Sequence, residues 1–201
     1  MSRVPVQLVA LFVCTATCAA TSAAQPSTAA AVRALAYLRA GGALPDLSAA
    51  DLSDILVSSE TTSPHSGVTH VYLRQRHHGI PISGADITVS ITRDGTATHT
   101  GTFVANVAAT INMMRPALTA REAADRAITS VGATLSTTER AAVPATLVYH
   151  PTAPDRLRLA WQVGIETADA RHAWVVTVDA TSGALLDTFD RVVSAQENAR
   201  V

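Results

Sequence analysis

The chain has 201 residues with 15 basic and 16 acidic side chains, which gives a formal net charge of −1. The two signs are interspersed along the chain, so the charge pattern does not favour binding to nucleic acid or to an anionic membrane surface. The length is sufficient for a hydrophobic core and for two small domains.

The first 24 residues have the composition of a secretory signal. Arg3 precedes an uncharged apolar run, and small residues lead to a cleavage site between Ala24 and Gln25. This pattern predicts a secreted protein, extracellular or periplasmic, with no membrane attachment after cleavage. Two alternatives stay open: an uncleaved membrane anchor and a lipoprotein signal that uses Cys14 or Cys18. Both cysteines lie in this segment, so cleavage leaves a mature chain without a disulfide or thiolate site.

Two helices are predicted in the next part of the chain. Ser27 is the predicted N-cap of a helix over residues 28–39. A second, short helix is predicted over residues 48–56, with Ser48 as its cap and Asp51 in the position of a capping-box acid.

Residues 67–103 show the period-two alternation of half-buried strands. Val71 and Leu73 alternate with polar neighbours in a first run, and Ile87 and Val89 do so in a second run. The pattern predicts an antiparallel hairpin or a three-strand meander.

Turn residues divide this stretch. His77-His78-Gly79 interrupts the first run, and Asp94-Gly95 ends the second with a pair that tolerates the positive φ of a tight turn. Pro81 has no N–H for a strand ladder and Gly84 has no side chain to pack. Both residues are therefore predicted at the irregular start of the second strand, at an edge or a bulge.

Another helix is predicted after a connection. Residues 107–116 are weakly patterned and end at a proline, which predicts a linker. Thr119 and Glu122 then have the spacing of a capping box, and Gly132 ends the helix that follows.

Three or four strands follow this helix. Trp161 and Trp174 lie in two of them and are predicted core anchors, with an exposed docking surface as the alternative. The candidate strands are residues 146–149, 157–165, 172–179 and 184–189.

These elements predict an α+β fold of two small units, each an antiparallel sheet with a helix packed on one face. The predicted organisation is a signal peptide over residues 1–24, an N-terminal helix region over 25–45, a first unit over 46–106, a linker over 107–116, a second unit over 117–191 and a flexible tail over 192–201.

The order of motifs in the first unit resembles a known family. GVTHVYLRQR, two residues, GIPISGAD and then V-x-I-x-x-DG is similar to the fungalysin/thermolysin propeptide (FTP) domain of fungalysin-type zinc metallopeptidases. ALAYLRA and ADLSDILV look like the lead-in of those propeptides. In the second unit, AW-x-V-x-VDA-x-SG-x-LL is similar to the PepSY domain that follows the FTP domain in the same precursors. The resemblance implies a prodomain.

The sequence contains no H-E-x-x-H, G-x-S-x-G, Walker loop or dinucleotide fingerprint. We therefore predict no catalytic residue, no metal site, no cofactor and no enzymatic activity. Neighbours on a strand point to opposite faces, so a solvated turn is favoured over metal binding for the pair His77-His78. His70, His99 and His172 occur in strand contexts, where we expect them on the solvent-facing side.

Nine residues are candidate determinants of the fold or of docking. Gln75 shares a face with Val71 and Leu73, so we expect its amide to be partly buried and bonded to the backbone of the neighbouring turn. Asp179 and Gly183 are predicted to stabilise a turn rather than to take part in catalysis. The nine candidates are Arg74, Gln75, Gly79, Pro81, Gly84, Asp94, Gly95, Asp179 and Gly183.

Three functions stay open from the sequence. The chain is the prodomain part of a protease precursor, a stand-alone inhibitor or chaperone that acts in trans, or a peptide-binding module. For the first two, the implied partner is a zinc metallopeptidase catalytic domain, bound by an edge strand and the flanking tail. Binding to the folded enzyme lowers the free energy of that state, so one protein can both inhibit and assist folding.

Overall fold

The computed structural model describes residues 28–40, 44–167 and 171–192. Several predictions from the sequence lie outside these ranges. They are the signal segment, the cleavage pair Ala24 and Gln25, both cysteines, the Ser27 cap and all but the first residue of the predicted tail.

The first helix, α1, spans Ala29–Arg39. Its N-cap is Thr28, one residue after the predicted cap, and the Thr28 hydroxyl oxygen accepts a hydrogen bond from the backbone N–H of Ala31 at 3.0 Å. The helix buries Ala31, Ala34 and Leu38. This narrow apolar stripe packs against the sheet that follows.

The predicted helix over residues 48–56 is wrong. Ser48 and Asp51 do exchange the hydrogen bonds of a capping box, but turns follow, and the strand β1 begins at Ile55 and runs over Ile55–Thr62. Burial of Ile55 and Val57 and pairing with the next strand decide the outcome. A short apolar run cannot be assigned to helix or strand from its periodicity alone.

The predicted meander is confirmed. It consists of β2 (Thr69–His77), β3 (Ile80–Ile91) and β4 (Ala97–Gly101), paired in antiparallel order. His78 and Gly79 form the first turn, and both have positive φ angles, 51° and 80°.

Three helices and four strands occur in the described part of the second half. The helix α3 (Ala120–Ser130) begins with the predicted Thr119–Glu122 capping box, which is confirmed. Two short helices were not predicted: α2 (Val107–Thr110) in the predicted linker and α4 (Thr137–Ala142). The four predicted strands are confirmed as β5 (Ala145–Ala153), β6 (Arg156–Glu166), β7 (Ala173–Asp179) and β8 (Leu185–Asp190).

The strands form one eight-stranded sheet in the order β1-β2-β3-β5-β6-β7-β8, with β4 paired to β3. All pairs are antiparallel except β3 with β5, where Ile82 is the register partner of Tyr149. The predicted α+β class is confirmed, and the two halves share a sheet. They also share a core, because Tyr149, Leu157 and Leu159 belong to the same apolar cluster as α1, β2 and β3.

The longer helices pack on one side of this sheet. The helix α1 contacts β2 and β3, whereas α3 contacts β5, β6 and β7. Among the described residues, no helix has the length and apolar character needed to cross a membrane.

Candidate docking surface

The sheet has one face without helices in the part of the chain that the structure describes. Val71 and Leu73 on β2 are buried in the core that includes α1, so the residues between them point to the opposite side. Register pairing carries this alternation across the sheet. We call this surface the helix-free face, and its residues include His70, Tyr72, Arg74, Asp86, Thr88, Ser90, Thr98, Thr100, Val148, His150, Gln162, Thr177, Asp187 and Phe189.

The N-terminal part of the helix-free face is polar. The Arg74 guanidinium donates to the Asp86 carboxylate across β2 and β3 at 2.7 Å, and both side chains are about half exposed. His70 and Ser90 form a second cross-strand hydrogen bond at 2.9 Å. Tyr72 lies in the same row and is 40% exposed. An exposed tyrosine between polar neighbours is typical of protein interfaces.

The C-terminal part of the helix-free face is more apolar. Val148, Ala160 and Thr177 are buried, and Gln162 is half-buried. Phe189 on the edge strand β8 is 46% exposed and is the register partner of Val175 on the same face. No sequence signal distinguishes Phe189 as exposed, because an exposed and a buried aromatic residue look alike in a short strand.

A groove lies where the two halves of the sheet meet. We call this cavity of about 170 Å³ the seam groove. It exists because β3 leaves β2 between Pro81 and Asp86, and this stretch reaches β5 instead. The lining residues are Arg74, Pro81, Ile82, Ser83, Gly84, Asp86, Val148 and Gln162.

The seam groove brings together three of the nine candidate residues, Arg74, Pro81 and Gly84. Pro81 pairs with Arg76 beside a register shift, so it lies at a bulge. The edge position that was the alternative is wrong, because β3 is an interior strand. Gly84 has a φ of +76°, the left-handed conformation that favours glycine.

Gln75 lies on the other side of the sheet, fully buried. Its amide nitrogen donates to the carbonyl oxygens of Asp51 and Val104 at 3.2 and 2.8 Å, and its amide oxygen accepts from the Val104 N–H at 2.7 Å. The partners are backbone groups, as expected, but they belong to residues 24 and 29 positions away and not to the neighbouring turn, and the side chain is fully instead of partly buried. Asp51, whose carboxylate accepts from the Val107 N–H at 3.0 Å, links the same region to α2.

Gly79 and the pair Asp94-Gly95 lie in turns outside the seam groove. The Gly79 N–H donates to the Asp54 carboxylate at 2.7 Å. Hydrogen bonds from Thr92 and Thr96 lower the pKa of Asp94, whose carboxylate closes the β3–β4 turn. Gly95 has a φ of +90°. These contacts organise turns.

Asp179 and Gly183 form the turn between β7 and β8. The Asp179 carboxylate accepts from the N–H groups of Thr181 and Ser182 at 2.9 and 2.8 Å and from Arg158 at 2.6 Å. Burial by itself raises the pKa of Asp179, but these donors outweigh it, and the pKa lies below its ordinary value. These contacts of the Asp179 carboxylate hold the turn between β7 and β8.

The histidines are distributed over both faces. The prediction for His99 is wrong, because it lies on the helix side, where its ring is 3.1 Å from the Tyr37 hydroxyl. His172 contacts the Asp190 carboxylate and stacks on Trp174. The rings of His77 and His78 meet edge to face. No group of three or more His, Cys, Asp and Glu side chains suited to a metal occurs among the described residues.

Both tryptophans are half-buried and pack against the core under α3. The Trp161 indole N–H donates to the Leu118 carbonyl oxygen at 2.9 Å, and its ring contacts both apolar clusters. This arrangement satisfies the polar end of the ring while its apolar surface joins the two clusters.

These features describe an α+β protein whose polar clusters hold turns and strands, with exposed residues such as Tyr72 and Phe189 on the helix-free face. Residues 54–101, which span β1 to β4, match the family model of the Fungalysin/Thermolysin Propeptide Motif. This motif is a propeptide motif, not a catalytic domain.

Two individual proteins are similar to this chain. The thermostable neutral protease NprT of Geobacillus stearothermophilus is 27% identical over 139 residues, which cover 65% of this chain and 24% of that protein. The chain therefore spans about a quarter of that relative's length. Among solved structures, the Bacillus megaterium YpeB C-terminal domain matches over 80% of this chain and 63% of that chain, with 10% identity and a TM-score of 0.42.

Proposed function

We propose that this protein acts as a secreted prodomain that binds a zinc metallopeptidase catalytic domain, keeps it inactive and assists its folding. The match of β1 to β4 to a propeptide motif carries the proposal. The similarity to a neutral protease, of which the chain corresponds to 24%, supports the same class of partner. In this proposal the second half is the PepSY-like unit, and the chain itself performs no catalysis.

The helix-free face provides a contact surface for such a partner. It combines a polar half around Tyr72 with a more apolar half that ends at Phe189, and the seam groove lies between them. Interfaces of this kind use a few aromatic anchors within a polar surround. We propose that the catalytic domain covers this face.

The edge strands offer a second mode of contact. The strands β1 and β8 lie at the two ends of the strand order β1-β2-β3-β5-β6-β7-β8 in the described sheet. Such an edge can add an extended segment of another chain through main-chain hydrogen bonds. The predicted tail begins two residues after the end of β8.

The test is a titration of the purified chain against the Geobacillus stearothermophilus neutral protease, with hydrolysis of a peptide substrate as the readout. We expect inhibition that increases with concentration and a higher yield of active protease when the unfolded enzyme refolds in the presence of the chain. Unchanged activity and unchanged refolding yield over a wide concentration range would contradict the proposal.

Two substitutions on β8 make this test specific for the face. Phe189 and Leu185 are exposed to similar extents, 46% and 49%, but lie on opposite faces. We expect Phe189→Ala to weaken inhibition several-fold, because aromatic anchors carry much of an interface's binding energy. Leu185→Ala is the matched control and should inhibit like the original chain. Equal effects would argue against docking on the helix-free face.

A further inference from the structure

The junction between the two halves of the sheet is poorly satisfied in its hydrogen bonding. Ser83, Tyr149 and His150 each have a buried polar side-chain atom without a hydrogen-bond partner, and they are the residues of this kind among those the structure describes. All three lie at the junction, because Ile82 is the register partner of Tyr149. Buried polar atoms are normally paired, so their concentration at one place requires an explanation.

Strand geometry places Ser83 beside His150. In a parallel pair, the residues that follow two register partners lie next to each other and point to the opposite face. Ser83 and His150 follow Ile82 and Tyr149, so they lie together on the helix-free face. Ser83 is one of the residues that line the seam groove there. Neither the Ser83 hydroxyl nor the His150 Nδ1 atom has a partner within the described residues.

Arg158, Asp179 and Asp187 are the charged side chains nearest to His150 on the neighbouring strands. Arg158 on β6 is its direct register partner. The guanidinium of Arg158 is 2.6 Å from Asp179 on β7, a carboxylate that also accepts two backbone hydrogen bonds. Asp187 on β8 is the acid that attracts a protonated His150, and it is exposed.

The charged side chains on the other side of the junction do not stabilise a protonated His150. Arg74 and Asp86 line the seam groove from β2 and β3, and they already form an ion pair with each other at 2.7 Å. Burial lowers the pKa of His150, and the attraction of Asp187 opposes this only in part. Burial of the ring in the fold therefore favours the neutral imidazole.

We infer that the junction is a pH-sensitive joint, in which protonation of His150 loosens the pairing of β3 with β5. The imidazole takes a proton from solvent and becomes a half-buried cation, with the exposed Asp187 as the carboxylate that attracts it. The half-buried position and the unpaired Ser83 hydroxyl leave little to hold the charged ring in place. The inference concerns this joint alone and does not depend on the proposed function.

The lowered pKa of His150 determines the direction in which stability changes with pH. Folding favours neutral His150, so this contribution to stability is complete above the ordinary histidine pKa, 6.5, and is lost as the pH falls through the lowered value in the folded protein. His77 needs a control, because its pKa is also lowered, by burial first and then by His78. Its ring approaches Tyr149, with ring centroids 6.1 Å apart.

The experiment compares the original chain with His150→Gln and His77→Gln at about pH 7.5 and about pH 5.5, a range in which histidine titrates. Denaturant unfolding gives the stability, and amide hydrogen exchange at Ile82, Ser83 and Tyr149 reports on the joint. We expect the original chain and His77→Gln to lose protection at these amides at the lower pH. The His150→Gln variant should lose less protection and less stability.

Two results would overturn the inference: equal losses in the original chain and in His150→Gln, or a loss that disappears only in His77→Gln. If His150→Gln does not fold, an NMR titration of the original chain replaces it. The amide shifts of Ile82 and Ser83 should then follow the titration of the His150 ring, whereas those of Gly95, at the far turn of β3, should not. Shifts at the joint that do not follow His150 would count equally against it.

Discussion

Gln75 is a polar residue in an apolar core, and its value to the fold depends on three hydrogen bonds to backbone. The residue is 0% exposed, and its partners belong to the loop before β1 and to the segment after β4. These segments have no strand partner at those atoms. The Gln75 side chain therefore supplies the hydrogen bonds that a paired strand would otherwise supply, and it holds both segments against β2.

We expect Gln75→Leu to lower the free energy of unfolding by about 2–4 kcal/mol, because it leaves the Val104 N–H and two carbonyl groups buried without partners. Denaturant unfolding measures the loss. Arg74→Ala is the matched control on the adjacent residue, since Arg74 forms an ion pair with about half-exposed side chains. Its removal should change stability by less than about 1 kcal/mol. A smaller effect of Gln75→Leu than of Arg74→Ala would contradict the assignment.

Ionised Asp179 stabilises the folded protein, and this contribution is lost at low pH. Its pKa in the folded chain lies below the ordinary value of 3.8, so its contribution is present above that pH and is lost as the pH falls through the lowered value. We expect Asp179→Ala to lower stability at neutral pH by about 2 kcal/mol and to flatten the acid limb of the stability profile. Asp179→Asn keeps an acceptor for the turn and should lose less. A loss of stability at low pH that is as large in Asp179→Ala as in the original chain would refute this role.

At the scale of single elements, Gly84 and Gly101 both have a positive φ, but they differ in the space available for a side chain. Gly84 at the seam groove has open space where a side-chain methyl group would lie, whereas a Cβ at Gly101 would lie 2.2 Å from the Asp86 carbonyl oxygen. Gly101 lies at the end of β4, where β4 pairs with β3. Gly101 is therefore required for two independent reasons.

We therefore expect Gly84→Ala to cost about 1–2 kcal/mol, the cost of the left-handed conformation alone. Gly101→Ala should cost about 2–3 kcal/mol or more and should weaken the pairing of β4 with β3. Unfolding curves measure the cost, and hydrogen exchange of the β4 amides reports on the pairing. Similar losses in both variants would show that β4 adjusts to the added methyl group.

At the scale of the whole molecule, the shared core makes the two halves interdependent. Leu159 on β6 is fully buried and belongs to the cluster that contains α1, β2 and β3. Trp161 contacts this cluster and the one under α3. A division of the chain within residues 107–116 would expose both sides of these contacts.

We expect one cooperative unfolding transition. Tryptophan fluorescence, which reports on β6 and β7, and hydrogen exchange at Val71 and Val89 should give the same free energy of unfolding. Leu159→Ala should lower both values by about 2–5 kcal/mol. An isolated fragment of residues 117–192 should be less stable than the same segment in the full chain. Two separate transitions would instead favour independent domains divided at the predicted linker.

The sequence by itself determined the elements whose signals are local. Alternation specified β2, β3 and β6, the Thr119–Glu122 spacing specified the start of α3, and turn chemistry specified Asp179 with Gly183. These features depend on residues within a few positions of one another. The order of motifs in the first half also indicated the propeptide motif that residues 54–101 match.

The tertiary structure decided what depends on distant partners. The strand β1 replaced a predicted helix because Ile55 and Val57 gain burial and pairing against β2. The two halves join in one sheet through the parallel pairing of β3 with β5 at Ile82 and Tyr149, and this pairing also sets the environment of His150. The helix-free face results from the packing of α1 and α3 on the opposite side of the sheet. Period two identifies a strand but not its neighbour, because backbone hydrogen bonds carry no side-chain identity.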